Sequence, residues 1–132
     1  MEVDWELEDW LLDAGERAER KCIGGGEPSP VERLVVEFWK FDMQALNGGV
    51  SQYFCNYDLC HWLAFKSAWM PDVVPSLGPI LAEIDKTIAR GKDAYDAILT
   101  SPSIDAFYHD RRLSAWREMR AAASEPPAET GI

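Results

Sequence analysis

Basic residues are scarce in this chain. Its 13 Lys and Arg stand against 23 Asp and Glu, a formal net charge of −10 with a pI near 4.5. That balance argues against direct binding to nucleic acid or to anionic lipid, both of which require Lys/Arg surfaces. Long apolar runs are also missing, and none approaches the ~18–20 residues that span a bilayer. Histidine occurs only as His61 and His109, neither beside a Ser or Cys nucleophile motif. Gly24-Gly25-Gly26 lacks the following Lys and the strand-to-helix setting of a phosphate loop. No reaction class or cofactor is indicated. Cysteine appears only as Cys22, Cys55 and Cys60, and the start Met-Glu-Val-Asp-Trp has no basic segment followed by an apolar run. A cytoplasmic protein with three free thiols in apolar surroundings is the expectation. Cys55-x4-Cys60-His61 does not have the spacing of a standard zinc site, so no metal is expected.

The 132 residues are 47% hydrophobic and include six Trp, ample for the core of one domain. Val3, Leu7, Trp10, Leu11, Ala14 and Ala18 recur at steps of three or four, the apolar stripe of an acidic amphipathic helix over 1–21. The glycine- and proline-rich stretch 22–29 must be a loop. Ser29, Pro30 and Glu32 predict a helix start, with Ser as N-cap. That helix runs to about Leu46 and buries Leu34, Val35, Phe38, Trp39, Phe41, Met43 and Leu46. Gly48 or Gly49 then takes positive φ. A short helical turn over 51–57 follows. Asp58 caps a segment that is apolar nearly all round, through Trp62, Leu63, Phe65 and Trp69, and so belongs in the core. Further helices are read near 80–91, 93–99 and from an N-cap at Ser103. No period-two alternation is sustained. The class is all-α, a compact single-domain bundle of about five to seven helices over 1–123 with a flexible tail over 124–132.

Asn47-Gly48-Gly49-Val50-Ser51-Gln52-Tyr53-Phe54-Cys55-Asn56 combines breakers, amides and aromatics. Gln52 and Asn56, four apart, fall on one face of a helical turn as a polar clasp, and open carbonyls and N–H groups of the preceding helix end are the expected partners. Tyr53 and Phe54 anchor the turn. The pattern Asn-Gly-Gly-x-x-Gln-Tyr-Phe-x-Asn after a long apolar helix resembles the signature of the bacterial DNA-mimic-protein-like family. These are small all-helical proteins named for an acidic member that binds a transcription factor in place of DNA. The likeness extends by helix order from about Val31 to Gly91. Gln44, Leu46 and Val50 stand where members often carry Glu, Asn and an aromatic. The resemblance implies a helical fold, and more loosely DNA mimicry. Asn47, Gly48, Gly49, Gln52, Tyr53 and Asn56 are read as a structural helix corner, with a ligand or partner pocket as the other reading.

Residues 1–20 carry eight acids against Arg17 and Arg20, so they supply −6 of the −10. The last helix leans basic through Arg111, Arg112, Arg117 and Arg120, which predicts a polarised molecule. Glu2, Asp4, Glu6, Glu8, Asp9, Asp13 and Glu16, with Trp5 as an aromatic anchor, are the candidate partner-binding residues. Either they form a solvated face or they dock a basic protein, such as a nucleic-acid-binding factor or a toxin enzyme neutralised by an immunity-type protein. An apolar stripe left uncovered would instead support a homodimer. No membrane partner, no direct nucleic acid and no catalytic residues are expected.

Overall fold

Each helix boundary has a local cause. The structure is a computed structural model that describes residues 4–124. Seven helices follow one another: α1 (Trp5–Ile23), α2 (Pro30–Gly48), α3 (Val50–Asn56), α4 (Leu59–Ala68), α5 (Leu77–Ile88), α6 (Ala94–Leu99) and α7 (Ser103–Ser124). The all-α class holds, with no strand among the described residues. Glu2 and Val3, and the tail from Glu125 onward, lie outside the described residues.

Asp4 starts α1 by accepting the Leu7 N–H at 3.0 Å. Ser29 and Glu32 form a reciprocal capping box at the head of α2, and Pro30 needs no partner there. Lys21 reaches Glu32 at 2.8 Å, tying the end of α1 to the start of α2. Asp58 and Asp93 cap α4 and α6. The last helix begins at Ser103 itself rather than after it, because the Ser101 and Pro102 carbonyls already accept from Ile104 and Asp105.

The α2 helix is central and packs against α1, α3, α4 and α7. Phe38 and Phe41 are fully buried. Phe38 stacks on Trp116 of α7 at 4.0 Å between centroids, and Phe41 meets Tyr53, Trp62, Phe65 and Tyr108. Rings from three other helices thus converge on two side chains of α2, each worth about 1.5–3 kcal/mol of burial. Gly15 lets α1 approach α2, for a Cβ there would sit 2.5 Å from the Trp39 ring.

Several expectations about exposure fail. Met43, Leu46 and Leu63 are exposed, at 43%, 44% and 55%. Only one flank of α4 is covered, by Trp62 and Phe65 facing α2, while its far side meets no layer. Cys22, Cys55 and Cys60 are all exposed. Apolar neighbours in sequence do not bury a thiol when the helix points it the other way. Among the described residues no helix is long and apolar enough to cross a membrane.

Candidate functional site

The acidic first helix is docked on the core, through charges as well as apolar contacts. Leu7, Leu11, Ala14, Gly15 and Ala18 are buried. At the N-terminal end, Asp4, Glu6 and Glu8 face the basic residues of α7: Asp4–Arg117 at 3.4 Å, Glu6–Arg120 at 3.0 Å and Glu8–Arg112 at 2.6 Å. Part of the acidic segment is therefore neutralised locally, since Asp4, Glu6 and Glu8 lie against the arginines of α7. The Leu7 N–H, followed by Arg117, holds the Asp4 carboxyl below the usual carboxylate range.

Arg112 carries this contact inward. Its Nε and Nη2 donate to Asp42 at 2.8 Å each, and Nη1 donates to Glu8 at 2.6 Å. The Tyr108 hydroxyl, one turn earlier on α7, donates to the same Asp42 carboxylate. Asp42, Tyr108 and Arg112 are all buried. Burial opposes the charge on Arg112, but hydrogen bonds to Asp42 and Glu8 outweigh it and hold the guanidinium above its ordinary pKa. Burial, followed by the negative Asp42, keeps the Tyr108 phenol protonated well above its ordinary range. The network joins α1, α2 and α7, and its chemistry is that of a buried tie. Sequence reasoning passed over it, although a lone Asp42 on the apolar stripe of Phe38, Phe41 and Ala45 and a Tyr108/Arg112 pair four apart were both legible signals.

The outward side of α1 is different. Trp5, Asp9, Leu12 and Glu16, at steps of four, three and four, form one exposed stripe, with Trp5 at 74% and Leu12 at 42%. Asp13 pairs with Arg17 at 2.9 Å and Glu16 with Arg20 at 3.8 Å, both along the helix and in water, so these pairs are weak. Of the sequence-predicted partner-binding residues, Trp5, Asp9, Asp13 and Glu16 face solvent, whereas Asp4, Glu6 and Glu8 are engaged by α7.

The 47–56 stretch is built as a corner. Gly49 has φ +88, and a Cβ there would come within 3.1 Å of Asp105 of α7. That carboxylate accepts the Val50 N–H at 2.7 Å. A Cβ on Gly48 would lie 1.8 Å from Gln52 Oε1. The amides of Gln52 and Asn56 do share a face, but they donate to the side chain of Gln44, at 2.9 and 2.7 Å, rather than to the helix end. Gln44 is thus the hub of the clasp. Tyr53 is buried among Phe41, Phe54, Tyr57 and Trp62, and its phenol is pushed up by burial and then by Glu37. Asn47 sits exposed in the last turn of α2.

His61 is exposed with Nδ1 2.8 Å from Asp58, the α4 cap, and His109 is exposed on α7. Among the described residues no group of three or more His, Cys, Asp or Glu is placed to hold a metal. A cleft of about 520 Å³ lies between α1, the start of α2 and the end of α7, lined by Trp10, Ala14, Val31, Val35 and Ala122 among others. No protein-family model, curated protein sequence or solved structure matches the chain.

Proposed function

We propose that this chain is an acidic protein-binding module whose partner is a basic protein, of the kind that itself binds nucleic acid. The observation that carries the reading is the outward stripe of α1, where exposed Trp5 and Leu12 alternate with Asp9 and Glu16. An aromatic and an aliphatic anchor rimmed by carboxylates suit a basic protein surface. They suit it better than a bare ladder of phosphate-like charges would, because Asp4, Glu6 and Glu8 are engaged by arginines of the same chain. Mimicry of DNA, implied by the likeness over 47–56, enters here as competition: the partner gives up its nucleic acid when this module binds.

The test starts from basic proteins captured from the native host and purified. Each is titrated with the wild-type chain and with the triple variant Asp9→Asn/Asp13→Asn/Glu16→Gln, at about 50 and 300 mM salt. Binding that weakens with salt and with the substitutions, and that duplex DNA competes away, is the expected result. Undiminished binding by the triple variant overturns the proposal.

A further inference from the structure

The outer face of α4 is apolar and carries no charge. Leu59, Leu63 and Ser67 recur at steps of four with Cys60 and Ala64 beside them, so five exposed residues fill an arc of about 140°. Leu59 and Leu63 are 51% and 55% exposed. The cause is in the sequence: α4 is apolar nearly all round, but α2 covers only the side of Trp62 and Phe65. In a chain with 23 acids and a net charge of −10, an uncharged helix face of this size is an exception. Beside it, Pro79, Ala82, Lys86 and Ala89 of α5, all exposed, add one cation and no acid.

A hole opens next to this face. The α4 helix packs on α2 while α5 packs on α6 and α7, which leaves a cleft of about 660 Å³ between α4 and α5. Leu63 and Ser67 line it from α4, and Ala82 and buried Leu81 from α5. At one end the Trp69 ring stands over Gly78, where a Cβ would come within 3.1 Å of it. At the other, Lys66 bridges to Asp85 at 3.0 Å. These polar groups are engaged within the chain: Asp85 also accepts the Trp62 N–H at 2.9 Å, and the Trp69 N–H donates to the Val74 carbonyl at 2.8 Å. Such a cleft has little with which to orient a small polar ligand, and it suits an aliphatic side chain.

We infer that the outer face of α4 and the α4/α5 cleft together form a homodimer interface, in which two copies of the chain pair through α4 about a two-fold axis. Knob and hole belong to one surface, as an isologous contact requires, since each copy must offer both halves of it. An antiparallel crossing of the two α4 helices near Leu63 sets Leu59 of each copy level with Ser67 of the other, at the cleft. Cys60, Ala64 and Ser67 are small enough to let the helices approach. Charge selects the same occupant. A second copy of net charge −10 is repelled by most of this molecule but not by this face. A basic protein gains little here, because the bordering carboxylates of Asp58 and Asp85 are already paired with His61 and Lys66. The inference is independent of the acidic-module reading, which rests on α1.

Sedimentation equilibrium on the full chain at about 50 and 300 mM salt tests it, with NMR shifts followed against protein concentration. A dimer is expected that holds or tightens at the higher salt, because its interface is apolar and salt screens the repulsion between two acidic copies. The shifts should map to 59–69 and 78–86. Leu59→Ser/Leu63→Ser should weaken the dimer by about tenfold or more, and so should Ala82→Arg, which blocks the cleft with a long side chain. All three positions are exposed, so both variants keep their fold, which circular dichroism verifies. Leu12→Ser/Leu99→Ser removes two leucines of similar exposure elsewhere and should leave the dimer intact. A chain that stays monomeric at millimolar concentration overturns the inference. So does a dimer that Leu59→Ser/Leu63→Ser and Ala82→Arg both leave unchanged, or one that Leu12→Ser/Leu99→Ser dissociates. Each of these failures leaves the binding of a basic protein through α1 standing, since that binding weakens with salt and with loss of the α1 acids.

Discussion

Arg112 grips Asp42 through two nitrogens, each at 2.8 Å, in a core where neither side chain is more than marginally accessible. The two residues are 70 positions apart, and their meeting fixes α7 across α2. Removing one partner strands a buried charge, which costs about 3–5 kcal/mol, whereas an apolar pair of matched size costs far less. Asp42→Leu and Arg112→Met should each destabilise the chain by that order, and Asp42→Leu/Arg112→Met by clearly less than the sum. Chemical denaturation of the four proteins measures it. Additive losses would mean that the two groups do not act as a pair.

Gly15 and Gly48 both exclude a side chain, yet the obstacles differ. At Gly48 the obstacle is the mobile end of Gln52, whereas at Gly15 it is the ring of Trp39, held between helices. Gly15→Ala should cost about 1–3 kcal/mol or more, by prising α1 from α2. Gly48→Ala displaces Gln52 from Gln44 and should recover most of its loss in Gly48→Ala/Gln52→Ala. Thermal melts of the three variants check both, and a Gly15→Ala protein as stable as wild type would sink the close-approach account.

How far the fold was legible follows from this contrast. Local signals were sufficient for the helices: Ser29 before Pro30 and Glu32, the glycines at 48 and 49, and Asp58 before an apolar run each set a boundary through backbone geometry or an N-cap bond. Exposure was less legible, because whether Met43 or Leu63 is covered depends on which helix lies opposite, a property of no single segment. The acids of α1 were located correctly on the helix but not in space. Their engagement by Arg112, Arg117 and Arg120 joins the two ends of the chain, and periodicity carries no information across that distance.

Stability should fall on both sides of neutrality. Asp4, Glu32 and Asp58 have carboxyls held below their ordinary values of 3.8, 4.5 and 3.8: Asp4 chiefly by the Leu7 N–H, Glu32 by Lys21, and Asp58 by His61. A lowered folded-state pKa means that the unfolded chain binds protons first. These groups therefore stabilise fully above about pH 5 and lose that contribution as pH falls through the folded values. Tyr53 and Tyr108 behave oppositely. Their phenols are raised above 10.0, chiefly by burial, so their contribution holds below that pH and is lost above it. Denaturation midpoints across pH 2.5–11 should be flat between about 5 and 9 and drop on either side. Asp4→Asn should soften the acid limb, and an unchanged limb in that variant would count against the cap as one of its sources.

Neighbouring acids of α1 should differ sharply in what they hold. Glu6 meets Arg120 at 3.0 Å, but its side chain is 80% exposed, and an ion pair in water contributes at most about 0.5–1 kcal/mol. Glu8 meets Arg112 at 2.6 Å with only 24% of its side chain accessible, against a guanidinium that is 7% accessible and already committed to Asp42. Replacing Glu8 by Gln leaves the Arg112–Asp42 pair intact but gives Nη1 only a neutral amide oxygen and sets an NH2 against Nη2, which forfeits much of a charged hydrogen bond worth about 1.5–3 kcal/mol. Glu6→Gln should thus be nearly silent and Glu8→Gln plainly destabilising. Hydrogen exchange should show the Glu8 variant loosening the first two turns of α1 before the rest of the core. Equal effects of the two substitutions would mean that α1 is held by its apolar stripe alone, through Leu7 and Leu11, with the arginines of α7 as bystanders.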